Sequence, residues 1–378
     1  FLQATATIAL TLGSLNLGQI LNVSLAHTAT RRIRRENAIL ALVLTGVSLL
    51  SVAVALTLLA ASPGTVPASL NTVLLFAAFV AVTGLQSLVQ MIAYARGEPV
   101  WAAASAAGSA IVLCAGVLVV HPVSIASALT ISTLAIGVGT ATLCARLFRA
   151  GLATDWRAAS RLLKTIGRRH GRKLAAFSSI SLLSGVVLQA SLWLIQRHLI
   201  GNGNAADNAT YAIGLQFFNV VLFLPSLYAP LLVRRLSLLD DGPSRHRDVA
   251  AAAAACVVIC LSGLLVLSLA EGSISWLVPA KYTGASDVIW WSVLAAAFMF
   301  IKFPFSVFFQ VRYSAQPDAV ANLLAAICIG VGIYLAGWGT NAVASSQLRA
   351  LACLCQLGCL AVWFHTAKRR SATGTQAA

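Results

Sequence analysis

The chain has 378 residues, 59% of them hydrophobic and only 10% charged, with a mean hydropathy of +0.87 and a net charge of +16. That apolar content lies outside the range of soluble globular domains, and so excludes a cytosolic enzyme. The charge would suggest a nucleic-acid partner in a soluble protein, but its distribution along this chain excludes that reading.

Apolar runs follow one another at 4–26, 38–61, 69–93, 100–120, 124–145, 174–199, 208–233, 249–270, 285–310, 318–338 and 342–365. Each is long enough to cross roughly 30 Å of hydrocarbon. None alternates with a period of two. Backbone groups in lipid must be satisfied within each segment, so the runs predict helices. The sequence opens on Phe1, not Met, and residues 1–3 are no signal peptide. A span before Phe1 would make twelve. The expected fold class is therefore an all-α integral membrane protein with eleven transmembrane helices in this sequence, or twelve with a preceding one.

The cations sort by side. Loops after the odd-numbered spans hold 22 of the 26, all but Arg197, Lys281, Lys302 and Arg349. By the positive-inside rule these loops, and the C-terminus, are cytoplasmic. Most of the net charge then marks topology and meets anionic lipid head groups. The one long loop, 146–173, is basic and reads as an amphipathic helix lying on the membrane surface. It divides the chain into an N-terminal bundle (1–145, its first span missing) and a C-terminal bundle (174–370). A disordered tail (371–378) is expected to follow. The halves echo each other. Gln19-x-x-Asn22-Val23 recurs as Gln216-x-x-Asn219-Val220. Gln90 before Arg96-Gly97-Glu98-Pro99 is matched by Gln310 before Arg312 and Gln316-Pro317-Asp318. This favours a duplicated six-helix unit.

Polar groups within the spans are the candidate functional residues. All ten acids lie at span ends or in loops, which counts against a buried carboxylate carrying H+ or Na+. The deep ionisable groups are basic. Lys302 and Arg349 each lie roughly 12 Å from the nearer span end. A cation facing lipid there costs about 2.5–3.5 kcal/mol, so a wet cavity holding an anionic ligand is the sharper reading. Snorkelling to the interface is the plainer one, and it suits Arg197 best. Amides extend the pattern at Asn16, Gln19, Gln86, Gln90, Gln189, Gln196, Gln216, Asn219, Gln347 and Gln356. They either hydrogen-bond between helices or line a cavity for sugar hydroxyls. Pro225, Pro230 and Pro304 remove backbone bonds and bend their helices, which makes them candidate hinges. The eight cysteines all fall in apolar spans and read as small buried residues. No phosphate-binding loop, metal-ligand cluster or nucleophile–base set is visible, so neither a cofactor nor a metal is expected.

Two stretches carry a resemblance. YAIGLQFFNVVLFLPSLYAPLLVRRLS (211–237) resembles the eighth span of the polysaccharide-export branch of the MOP superfamily, the O-antigen and lipid-linked oligosaccharide flippases related to the MATE exporters. LGSLNLGQILNVSLAHTATRR (12–32) resembles its second span. The resemblance implies two six-helix bundles in a V-shaped, alternating-access arrangement in the bacterial inner membrane. It implies a cargo, an undecaprenyl-pyrophosphate-linked glycan for surface polysaccharide, whose pyrophosphate is held by cationic side chains. By helix position these are Lys302 and Arg349, with Asn16, Gln19, Gln90, Gln189, Gln216 and Asn219 lining the cavity. It further implies polysaccharide polymerase or glycosyltransferase machinery as partner. The family often has an acid in the span after the central loop, where this chain has LQASLWLIQRH (188–198). The alternative is a MATE-like or major-facilitator exporter of small molecules. IGRRHGRKL (166–174) is similar to the facilitators' basic loop motif, but Gly167 replaces its Asp. A glycan polymerase or ligase would need a large outside loop, and the loops opposite the basic ones are short.

Overall fold

The computed structural model describes residues 6, 9, 10, 46, 49–57, 59, 60, 69–95, 98–120, 124–149, 171–201, 205–239, 242–269, 282 and 284–374. Nine helices within them are long and apolar enough to cross a membrane. In chain order they are α1 (Leu70–Ala95), α2 (Pro99–Val120), α3 (Ile125–Arg149), α4 (Gly171–Gly201), α5 (Ala205–Leu238), α6 (Pro243–Leu269), α7 (Ala285–Val311), α8 (Gln316–Tyr334) and α9 (Ala342–Gly374). No strand occurs among the described residues. Residues 49–57 are helical as well. Most of the first two apolar runs, with Asn16 and Gln19, and most of the 146–173 loop lie outside the described residues.

Short polar residues and prolines start the helices where the sequence places them. Ser124 Oγ accepts from Ser127 N at 3.2 Å, and Ser127 Oγ accepts from Ser124 N at 3.3 Å, a reciprocal cap at the start of α3. Asn341 Oδ1 accepts from Ala344 N at 2.8 Å at the start of α9. Pro99 and Pro243 open α2 and α6, where a missing N–H costs nothing.

Several helix ends differ from the sequence reading, and three show why. The run 318–338 ends as a helix at Tyr334. There Ala336 N donates to Val331 O and Trp338 N to Gly332 O, and Gly337 takes a left-handed φ of 66° that closes the turn. Arg234 and Arg235 do not end their helix, since α5 continues to Leu238 and Arg235 Nε reaches Asp248 Oδ2 at 2.8 Å. The last helix runs to Gly374, four residues into the expected tail, because extending an existing helix needs no new nucleus.

The chain divides into two compact units, Phe1–Leu182 and Leu183–Ala378, with the division inside α4. In the first unit α3 packs on both α1 and α2. Val89, Ile92, Ala102 and Leu143 form one core. Phe76, Val80 and Leu129 form another with Ala6, Ala9 and Ala55. Ser105 Oγ donates to Gly139 O at 2.7 Å between α2 and α3.

In the second unit α7 is the axis, packing on α5, α9 and α6, while α8 packs on α9. The apolar window of α7 is 61% buried, against 6% for α2. Gly214 lets α5 and α7 approach closely: a Cβ there would stand 2.5 Å from Ser292 Oγ and 2.7 Å from Val288 Cγ1. Tyr211, Ile195, Val288, Ile329 and Leu348 fill the core beside it. Between α7 and α8 the chain turns tightly. Ser314 N donates to Phe309 O at 3.0 Å, and Tyr313 adopts φ 53°. A non-glycine residue pays about 1–2 kcal/mol in that left-handed region.

Candidate functional site

Lys302 and Arg349 are both buried inside the second unit, at 6% and 7% exposure. Four helices converge on Lys302. Its Nζ donates to Gln356 Oε1 of α9 at 3.1 Å and to Asn322 Oδ1 of α8 at 3.4 Å. Asn322 Nδ2 passes a hydrogen bond on to Ser184 Oγ of α4 at 2.8 Å. Ser184 Oγ in turn donates to Asp318 O at 3.4 Å. Ser306, one turn below Lys302 on α7, donates to Asp318 Oδ1. The Asp318 carboxylate is also within electrostatic reach of the ammonium. A lone buried ammonium would be prohibitive, so this oxygen shell is what makes Lys302 tolerable at that depth.

Arg349 is satisfied in a different way. Its Cζ lies 3.8 Å from the centroid of the Phe218 ring on α5, a desolvated cation–π contact. Tyr211, two turns before Phe218 on the same helix, is within electrostatic reach of the guanidinium. Arg349 Nε itself makes no hydrogen bond. Arg349, Cys353 and Gln356 follow helical spacing and are all buried, so they share one stripe of α9.

The other candidates are more scattered. Gln216 and Asn219 lie on the exposed face of α5 with Val220 and Phe223. Gln189 on α4 and Gln90 on α1 are half-buried. Gln86 donates to Ser109 Oγ at 3.1 Å, an ordinary bond between α1 and α2. Pro304 is buried inside α7, and α5 runs through Pro225 and Pro230 without a break. All eight cysteines are free. Cys114 is exposed, contrary to the expectation of buried thiols, because α2 turns most of its surface outward. No group of three metal-binding side chains occurs among the described residues.

The sequence reading missed Asn322, Ser184, Ser306 and Tyr211. A signal existed in the four-residue spacings Lys302/Ser306 and Asp318/Asn322, each of which puts two polar groups on one face of an apolar helix.

Solved MATE and MOP superfamily transporters have a similar fold. A point mutant of the MATE transporter VcmN of Vibrio cholerae superposes with a TM-score of 0.62 over 97% of this chain and 89% of its own, at 14% identity. A MOP superfamily transporter of Pyrococcus furiosus gives 0.67 over 97% and 85%, at 13% identity. A multidrug-resistance MATE transporter in its outward-facing conformation gives 0.63 over 98% and 86%, at 9% identity. No family model matches the chain. No curated protein matches it.

Proposed function

We propose that the chain is a secondary exporter of the MATE kind whose cargo carries negative charge. The carrying observation is the sign of its buried ionisable groups. Among the described residues the buried basic groups are Arg245, His246, Lys302 and Arg349; the Asp318 carboxylate beside Lys302 is only half-buried and is bonded by Ser306. Two buried cations lower the cost of bringing an anion into a region of low dielectric. The Pyrococcus furiosus relative is itself described as having a binding pocket of reversed polarity that suggests a different function. In this reading Gln216 and Asn219, exposed on α5 beside Val220 and Phe223, offer their amides to the cargo's polar groups.

The second reading is a flippase for an undecaprenyl-pyrophosphate-linked oligosaccharide in the bacterial inner membrane. The likeness of residues 211–237 to that family's eighth span supports it, and so does a pyrophosphate's need for cations.

One pair of measurements separates the two. Membrane vesicles carrying the chain, given an ion gradient, should expel an anionic fluorescent dye and leave ethidium. Lipids extracted from depleted cells should show no accumulated lipid-linked oligosaccharide. Build-up of such a lipid would move the assignment to the flippase. Export of ethidium that Lys302→Met leaves unchanged would refute an anionic cargo.

A further inference from the structure

A second, separate site lies at the end of this unit where α7 and α9 approach their basic flanks. A cavity of about 720 Å³ opens between the end of α7, the turn after it, the start of α8 and the last turns of α9. Phe309, Pro317, Val362 and Trp363 form its apolar wall, and Arg312, Ser314 and Thr366 supply its polar groups. We propose that this cavity binds an anionic phospholipid, with the phosphate at Arg312 and Ser314 and an acyl chain along Val362 and Trp363.

Four observations carry this. Arg312 lines the cavity and its guanidinium lies 5.0 Å from the Phe308 ring, which puts a cation at the apolar wall. Tyr313 sits between Arg312 and Ser314 in a left-handed conformation, φ 53°, that few tyrosines adopt. Strain of that kind marks positions fixed for a task, and here it holds the cation and the hydroxyl on the same turn. Val362 and Trp363 are 64% and 38% exposed, an apolar surface that suits lipid and not water. The charge around the mouth is positive: Lys368 and Arg369 follow on α9, while the nearest acid, Asp318, is engaged by Ser306. Thr366 donates its own hydrogen to Trp363 O, so its oxygen serves only as an acceptor and the anion rests on Arg312 and Ser314.

The volume falls in the range of small-ligand sites, far larger than a bare ion needs. An apolar wall beside a cation, at the depth where a helix leaves the membrane, matches a lipid's own division into tail and head group.

The test is native mass spectrometry of the full chain released from detergent with phosphatidylglycerol or phosphatidylcholine. Wild type should retain phosphatidylglycerol over phosphatidylcholine. Arg312→Gln should lower phosphatidylglycerol retention more than tenfold, the loss of a charge-assisted hydrogen bond to the phosphate. Trp363→Ala should lower retention of both lipids. Lys368→Gln with Arg369→Gln, which leaves the cavity wall intact, should lower it less than Arg312→Gln. Equal retention of the two lipids by wild type would overturn the proposal. So would a loss in the Lys368/Arg369 variant as large as that of Arg312→Gln, since that is the behaviour of diffuse surface charge.

Discussion

Gln356→Leu tests whether Lys302 is held by its amide shell. The substitution removes the shorter of the ammonium's two hydrogen bonds, 3.1 Å, from a side chain only 1% exposed. A hydrogen bond to a charged group contributes about 1.5–3 kcal/mol. Leucine returns part of that through apolar contact, which leaves a loss of about 2 kcal/mol. For a unit of this size that is roughly 4–8 °C in Tm. Lys302→Met alone strands the oxygens of Asn322 and Gln356, at about 1–3 kcal/mol each, but recovers several kcal/mol of ion desolvation. Its net effect is therefore close to zero. The sharp expectation concerns the pair: adding Lys302→Met to Gln356→Leu should restore most of the lost stability, because no buried charge remains to be under-coordinated. Thermal unfolding of the four proteins in one detergent reads this directly. Strict additivity, with the double variant no more stable than Gln356→Leu, would refute the account.

Gly214→Ala should separate α5 from α7 and cost about 1–3 kcal/mol, because the new Cβ meets Ser292 Oγ and Val288 of the facing helix at under 3 Å. Gly332→Ala should cost less in the same thermal assay, since its nearest contact, Leu348 Cδ1, is the far end of a flexible side chain. Arg349→Lys keeps the charge but loses the flat stacking on Phe218, and should lower Tm by the equivalent of about 1 kcal/mol.

The spans were legible because apolar length alone sets them. α1–α9 fall on the runs read from the sequence, and their ends move by a few residues where a turn closes early, as at Gly337, or where an existing helix simply extends, as in α5 and α9. Lys302 and Arg349 stood out by depth for the same reason. Their surroundings did not. Which oxygens meet Lys302 depends on how α4, α8 and α9 rotate toward α7, and Ser184 reaches Asn322 across 138 residues of chain. Nor does an amide's residue type reveal its partner. Gln86 bonds a neighbouring helix, while Gln216 and Asn219, read from the same pattern, lie on an exposed face.

The order of the helices along the chain has a consequence for how the protein is made. Lys302 is synthesised 20 residues before Asn322 and 54 before Gln356. At about 5–20 residues per second, roughly 3–11 s pass between the appearance of the ammonium and that of its nearer oxygen. During that interval α7 carries a charge that lacks its closest oxygen, against a cost of about 2.5–3.5 kcal/mol for an unpaired cation entering lipid. The apolar residues around it must carry the helix in regardless, and a chain that stopped short of α9 would leave that charge without its closest oxygen.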